Sequence, residues 1–190
     1  LNQVDISLIQ STTEDINKYT KYLSNTINDF KNFYKTNKSR ETTNLDEMAE
    51  KSLNIIEDSI TYKNIKIIKN FNSRSDIKTY MNEVTQVILT LLQNAEDILL
   101  EKQTQNPYIK INTFEDDEYL YLQVIDNGGG IPQDILDKIF DPYFSTKHEK
   151  NGTGLGLYFA KSIIENNCDA LLTVENNQDE AVFTIRLKKE

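Results

Sequence analysis

The stretch VIDNGGGIPQDILDKIF, residues 124–140, imposes the tightest local constraint in the chain: an apolar run readable as a β-strand is broken by Asp126, Asn127 and three consecutive glycines. Asn and Gly accept positive φ, so Asp-Asn-Gly is ordinary turn chemistry and by itself marks a simple reversal. Two glycines suffice for a tight hairpin. The third is surplus, and Pro132 then opens a segment with helical spacing at Ile135, Ile139 and Phe140. A strand, a glycine loop and a helix start in succession let bare backbone approach a nucleotide.

Around this stretch the apolar pattern alternates between periods of about 3.6 and 2. Helices are expected over residues 45–60 (Leu45, Met48, Ala49, Leu53, Ile56), 80–100 and 155–166, and strands over 64–71, 108–115, 119–126, 170–175 and 181–187, with ENNQDE, 175–180, as a hairpin turn. Upstream, Ile16, Thr20, Leu23, Ile27, Phe30 and Tyr34 recur at spacings of four and three, with Thr12 or Thr13 as cap and Glu14 and Asp15 in the first turn. Such a helix would be about 33 Å long, too long and exposed to stand alone. With Leu1, Val4, Leu8 and Ile9 it predicts a helical hairpin, completed by homodimerisation into a four-helix bundle. KTNKSRETTN, 35–44, has no apolar residue and reads as a linker. The expected architecture is therefore α+β, divided into a hairpin (1–34), a linker (35–44) and an α/β sandwich domain (45–190).

The function classes narrow by exclusion. With 30 acidic against 21 basic residues and a net charge of −9, no nucleic-acid surface is expected. Cys168 is the only cysteine and His148 the only histidine, which excludes an internal disulfide and any metal site built on cysteines or paired histidines. No apolar run approaches the roughly 20 residues that span a bilayer, so a membrane link is expected only through segments upstream of Leu1. Because the chain starts with Leu1, it reads as a piece of a longer protein.

Four places carry candidate chemistry. In LLQNAEDILL, 91–100, Asn94 sits among apolar residues of a helix at a cost in propensity; it is either a solvent-facing polar residue or an oxygen ligand for Mg²⁺. Asp126 ends a strand, where a carboxylate can accept from an exocyclic amine while adjacent glycines admit a flat base. In IFDPYFSTK, 139–147, Phe140, Tyr143 and Phe144 read as packing groups able to anchor a loop. NGTGLGLYFAK, 151–161, is a glycine-rich turn opening a helix, suited to phosphate but lacking the Gly-Lys-Ser/Thr of a Walker A loop.

In this order, LLQNAED, DNGGGIP, FDPYFSTK and GTGLGL resemble the N box, first glycine box, F box and second glycine box of the catalytic ATP-binding domain of sensor histidine kinases, within the superfamily that includes gyrase-type and chaperone ATPases. The resemblance spans roughly residues 45–190 and implies a mixed sheet with helices on one face, holding ATP and Mg²⁺ under a lid at 145–151. It implies that Asn94 coordinates Mg²⁺ and Asp126 binds the adenine amino group. Gly128, Gly130 and Ile131 would shape the base pocket, with Asp97 facing it one turn after Asn94. Thr146, Lys147, Gly152, Thr153, Gly154, Leu155 and Gly156 would lie along the phosphates. It further implies a cytoplasmic kinase that phosphorylates a histidine on the dimerisation helix and passes the phosphoryl group to a response regulator.

The sequence departs from that pattern twice. Four residues before Asn94, where the family commonly carries a second Asn, stands Thr90, whose hydroxyl could still serve a metal-bound water. More seriously, residues 1–44 hold no histidine, and His148 falls in the expected lid. LNQVDISLIQ resembles the segment just after the acceptor in a subgroup whose motif reads His-Gln-Trp-Arg-Gln-Pro-Leu-Asn, so the chain is expected to begin past that histidine and to be unable to autophosphorylate. A non-catalytic nucleotide-binding regulatory module of the same fold is the alternative.

Overall fold

The computed structural model describes residues 39–146 and 153–189, together with Thr12, Thr13, Ile16, Asn17, Thr20 and Ser24, which are helical. The remainder of the expected hairpin lies outside the described residues. In chain order the elements are β1 (Glu41–Thr43), α1 (Leu45–Tyr62), β2 (Lys66–Phe71), β3 (Ile77–Thr79), α2 (Met81–Glu101), β4 (Tyr108–Glu115), β5 (Tyr119–Asp126), α3 (Gly156–Asn167), β6 (Ala170–Asn177) and β7 (Glu180–Lys188).

Five strands form one mixed sheet in the order β2-β4-β5-β7-β6, with β2 parallel to β4 and every other pair antiparallel. Period-2 alternation decides which face the helices cover. Ile109 and Ile111 of β4, Leu120, Leu122 and Val124 of β5, Leu172 of β6 and Phe183, Ile185 and Leu187 of β7 are buried in one core. The opposite face carries amides joined across strands. Asn70 donates to Asn112 (2.9 Å), Asn112 to Gln123 (3.4 Å) and Gln123 to Thr184 (3.3 Å). Helices on one face only are the consequence of that division.

Helix α2 lies between α1 and α3. Its buried set, Val84, Val87, Ile88, Leu91, Leu92, Ala95 and Leu99, recurs every three or four residues and spreads widely enough to touch both neighbours and the sheet. The Asn44 side chain caps α1 by accepting from the Glu47 amide at 2.9 Å. The far end of α1 is pinned by Lys63, whose Nζ lies 2.7 Å from Glu96 Oε1 on α2. Among the described residues no helix is long and apolar enough to cross a membrane.

Three expectations change. The stretch read as linker carries a strand: β1 pairs antiparallel with β3, Glu41 opposite Thr79 and Thr43 opposite Ile77, with Thr43, Ile77 and Thr79 buried. Residues 132–140 form no α-helix. The Ile135, Lys138 and Asp141 amides donate to the Pro132, Ile135 and Lys138 carbonyls, a chain of three-residue turns. Only Ile139 is buried there, too little apolar contact to offset helix nucleation. The hairpin turn shortens to Gln178 and Asp179, with Gln178 at φ 55°, because β6 and β7 stay paired to Asn177 opposite Glu180.

Candidate functional site

Where β5 ends, the glycine loop begins, and Ile98 and Lys102 approach it from α2 and the residue just past it. Asp126, the last residue of β5, is 3% exposed, and its Oδ1 accepts the Gly128 amide at 2.9 Å. Burial pushes its pKa up to about 6; the Gly128 hydrogen bond and Lys102 act in the opposite direction, and Glu180 adds to the rise. A Cβ on Gly128 would sit 2.8 Å from that Oδ1 and 3.0 Å from Cγ2 of Ile98. A buried acceptor, bare backbone and an apolar side chain from α2 therefore converge at one point.

The loop after Asp126 is held from two sides. Asn127 Oδ1 accepts the Tyr108 amide at 2.9 Å and its Nδ2 donates to the Asn106 carbonyl at 3.2 Å. On the other side the Gly129 amide donates to the Asp179 carbonyl at 2.9 Å, and Asn176 bonds both polar groups of the Ile131 backbone. Gly129 and Gly130 take φ 85° and 67°, values that side chains rarely adopt. Lys102, just past α2, donates to the Gly130 carbonyl at 3.5 Å.

Asn94 is half-buried on α2, one turn before Ile98, and Asp97 is exposed on the same helix. Thr90 donates to the Gln86 carbonyl at 3.0 Å, and its Cγ2 would lie 3.5 Å from a Cβ on Gly156, so the middle of α2 meets the first residue of α3. There Thr153 Oγ1 accepts the Leu155 amide at 3.2 Å. No side-chain hydrogen bond caps α3 at Leu155 and no acidic residue occupies its first turn, a helix start suited to an anion. Among the described residues no cluster of three or more His, Cys, Asp or Glu could hold a metal. The oxygens of Asn94 and Thr90 fit a hard cation such as Mg²⁺, which takes one or two protein oxygens and completes its shell with phosphates and water.

In the turns before α3, Phe140 packs edge-on against Phe183 with centroids 6.5 Å apart, and Phe144 packs on the core. Tyr143 is 73% exposed at φ 67°. Thr146 is exposed; Lys147, His148, Lys150 and Gly152 lie outside the described residues. Sequence reasoning missed the fastenings of the glycine loop, Lys102, Asn176 and Asp179. Asn127 and Asn176 sit in stretches already explained as turns, so no local signal separated them.

Residues 80–190, more than half of the chain, match the family described as histidine kinase-, DNA gyrase B-, and HSP90-like ATPase. The two-component sensor PprA of Pseudomonas aeruginosa is 35% identical over 117 residues, covering 60% of this chain and 13% of that protein. The sensor histidine kinase ZraS of Salmonella typhimurium is 32% identical over 151 residues, covering 77% of this chain and 31% of that protein. The chain thus spans less than a third of either relative. The solved catalytic domain of histidine kinase ThkA superposes with a TM-score of 0.69 at 29% identity, over 79% of this chain and 95% of that one. ThkA in complex with the response regulator TrrA shares the fold at a TM-score of 0.70 and 22% identity, over all of this chain and 53% of that one. With the strand-end carboxylate, its glycine loop and the uncapped helix start already in place, these matches show that the chain belongs to the histidine kinase-, DNA gyrase B- and HSP90-like ATPase family, as the catalytic ATP-binding domain of a sensor histidine kinase.

Proposed function

We propose that the chain binds Mg-ATP between α2, the first glycine loop and α3, and that it presents the γ-phosphate to a histidine of a dimerisation helix, from which the phosphoryl group passes to an aspartate of a response regulator. The observation that supports this reading best is the convergence of buried Asp126 with Gly128 and Ile98. The carboxylate accepts from the adenine amine, and the edge of the base lies beside the Gly128 backbone and Ile98.

From that anchor the ribose and phosphates run toward α3. The amides of Thr153, Gly154 and Gly156 hold the phosphates at the helix start, the Leu155 amide being taken by Thr153 Oγ1, and Asn94 and Thr90 are the residues that would hold Mg²⁺. Mg²⁺ held there would supply charge neutralisation to the phosphates. Beyond that the protein acts by positioning, because phosphoryl transfer asks little covalent chemistry of it. ThkA was solved in complex with a response regulator, which supports the same partner class here. Residues 1–34 serve as the homodimerisation hairpin, and a domain that draws on ATP belongs in the cytoplasm.

His148 is the only histidine in the sequence, and it lies in the stretch between the F box and the second glycine box. The chain is therefore expected to bind nucleotide without labelling itself. Titration calorimetry with Mg-ADP tests the site: binding by wild type that is weakened at least tenfold in Asp126→Ala is the expected result, and equal affinity removes Asp126 from it. Acid-labile label retained after incubation with γ-labelled ATP would show that an acceptor is present in this chain.

A further inference from the structure

The geometry points to Asn176 as the positioning residue of the base loop, an assignment that rests on the nucleotide site proposed above. Asn176 lies near the end of β6, 45 residues from the loop in sequence. Its Oδ1 accepts the Ile131 amide at 2.9 Å and its Nδ2 donates to the Ile131 carbonyl at 2.7 Å. One side-chain amide thus bonds the Ile131 backbone as a neighbouring strand would.

The loop needs such an anchor. Three consecutive glycines lose more conformational freedom on ordering than any other residues, and two of them are in left-handed conformations. Asn127 holds the loop's start, whereas Asn176 and the Asp179 carbonyl hold its far half. Gly130 completes the arrangement, since a Cβ there would stand 3.0 Å from Asn176 Oδ1. The third glycine, surplus to a turn, makes room for Asn176 to reach Ile131.

Asn176 itself is exposed, and its main-chain pairing with Ala181 belongs to the β6–β7 ladder rather than to its side chain. Its side-chain bonds therefore fix the loop without buttressing the core. Through Ile131 and Gly130 they set the height of the Gly128 backbone against Asp126, and with it the fit of the base.

Calorimetry with Mg-ADP and Mg-GDP on wild type, Asn176→Ala, Asn176→Asp and Asn177→Ala tests this. Loss of two hydrogen bonds in Asn176→Ala is expected to raise the Kd for ADP about tenfold and to shrink the preference for ADP over GDP. The isosteric Asn176→Asp keeps the shape but has no proton for the Ile131 carbonyl, and is expected to bind ADP no better than Asn176→Ala. Asn177→Ala is expected to match wild type, and all four to unfold at similar temperatures. Unchanged ADP affinity in Asn176→Ala, or equal losses for ADP and GDP, overturns the assignment. Wild type that binds no ADP overturns the nucleotide site itself, so the two failures are distinguishable.

Discussion

The main chain of Tyr143 occupies the space that a side chain on Gly154 would need: a Cβ there would lie 2.5 Å from the Tyr143 carbonyl carbon and 2.7 Å from its oxygen. Both residues are at φ 67°, so the two ends of residues 143–154 meet in left-handed conformations just before α3. Gly154→Ala adds a strained φ to a backbone overlap and is expected to cost about 2–4 kcal/mol in urea unfolding. Tyr143→Asn puts a residue that tolerates this φ at an exposed position and is expected to stabilise by about 0.5 kcal/mol. A destabilised Tyr143→Asn would mean the tyrosine ring does more than its exposure implies.

Asp126 predicts opposite pH trends for stability and for binding. Its folded pKa, about 6, lies above the usual 3.8, so the fold prefers the neutral acid. That stabilisation is complete below pH 3.8 and is lost as pH rises through 6. Without nucleotide, Asp126→Asn is expected to be more stable than wild type at pH 8 by on the order of 2 kcal/mol, the gap closing toward pH 4. In the proposed site, binding would need the carboxylate to accept from the adenine amine. The Kd of wild type for ADP is therefore expected to rise below pH 6 relative to pH 7.5, by up to about tenfold per unit. Asp126→Asn should bind weakly at every pH, and a parallel rise in the variant would assign the trend to the phosphates.

What the sequence discloses depends on how far apart the partners are. Strands β4 and β5 are legible to the residue, because Ile109 and Ile111 alternate with Lys110 and Asn112, and Leu120, Leu122 and Val124 with Tyr119, Tyr121 and Gln123. Gly129 and Gly130 are legible as positive-φ positions since few other residues serve there. Three-residue β1 and β3 are too short to show a period. In residues 132–140 apolar spacing reports which side chains face the core but not whether the ring closes over three residues or four. Asn176 is illegible for a third reason: its partner, Ile131, lies on another element, and its own neighbours read as turn.

Glu96, 6% exposed, receives Lys63 at 2.7 Å and Ser59 at 3.5 Å, a polar tie between α1 and α2 in otherwise apolar packing. Lys63→Met leaves a carboxylate facing the core without its cation. Lys63 is itself partly exposed, so the cost is expected at about 1–2 kcal/mol rather than the roughly 3–5 of a fully buried pair. Glu96→Gln, still able to bond Ser59 and Lys63, is expected to cost less than about 1 kcal/mol. A double-mutant cycle by urea denaturation checks the pair, and a coupling near zero would reduce it to two independent side chains.

Arg40, immediately before β1, is joined to the distal ends of the helices that frame the site. Its Nη2 donates to Asp169 Oδ2 at 3.0 Å, in the turn after α3, and its guanidinium lies 5.4 Å from the ring centre of Tyr80, the cap of α2. Exposed ion pairs alone contribute little, but here one planar group makes a charged hydrogen bond and a ring contact at once. Arg40→Ala is expected to leave global unfolding unchanged while speeding hydrogen exchange at the amides of β1 and β3, whose short ladder has few other supports. Asp169→Ala should reproduce part of the effect. In about 1 M salt wild type should approach the Asp169→Ala level but not the Arg40→Ala level, because screening removes the ion pair and leaves the ring contact. Equal exchange in wild type and Arg40→Ala would show that β1 is held by its own ladder, and that Arg40 couples the chain before it to neither helix.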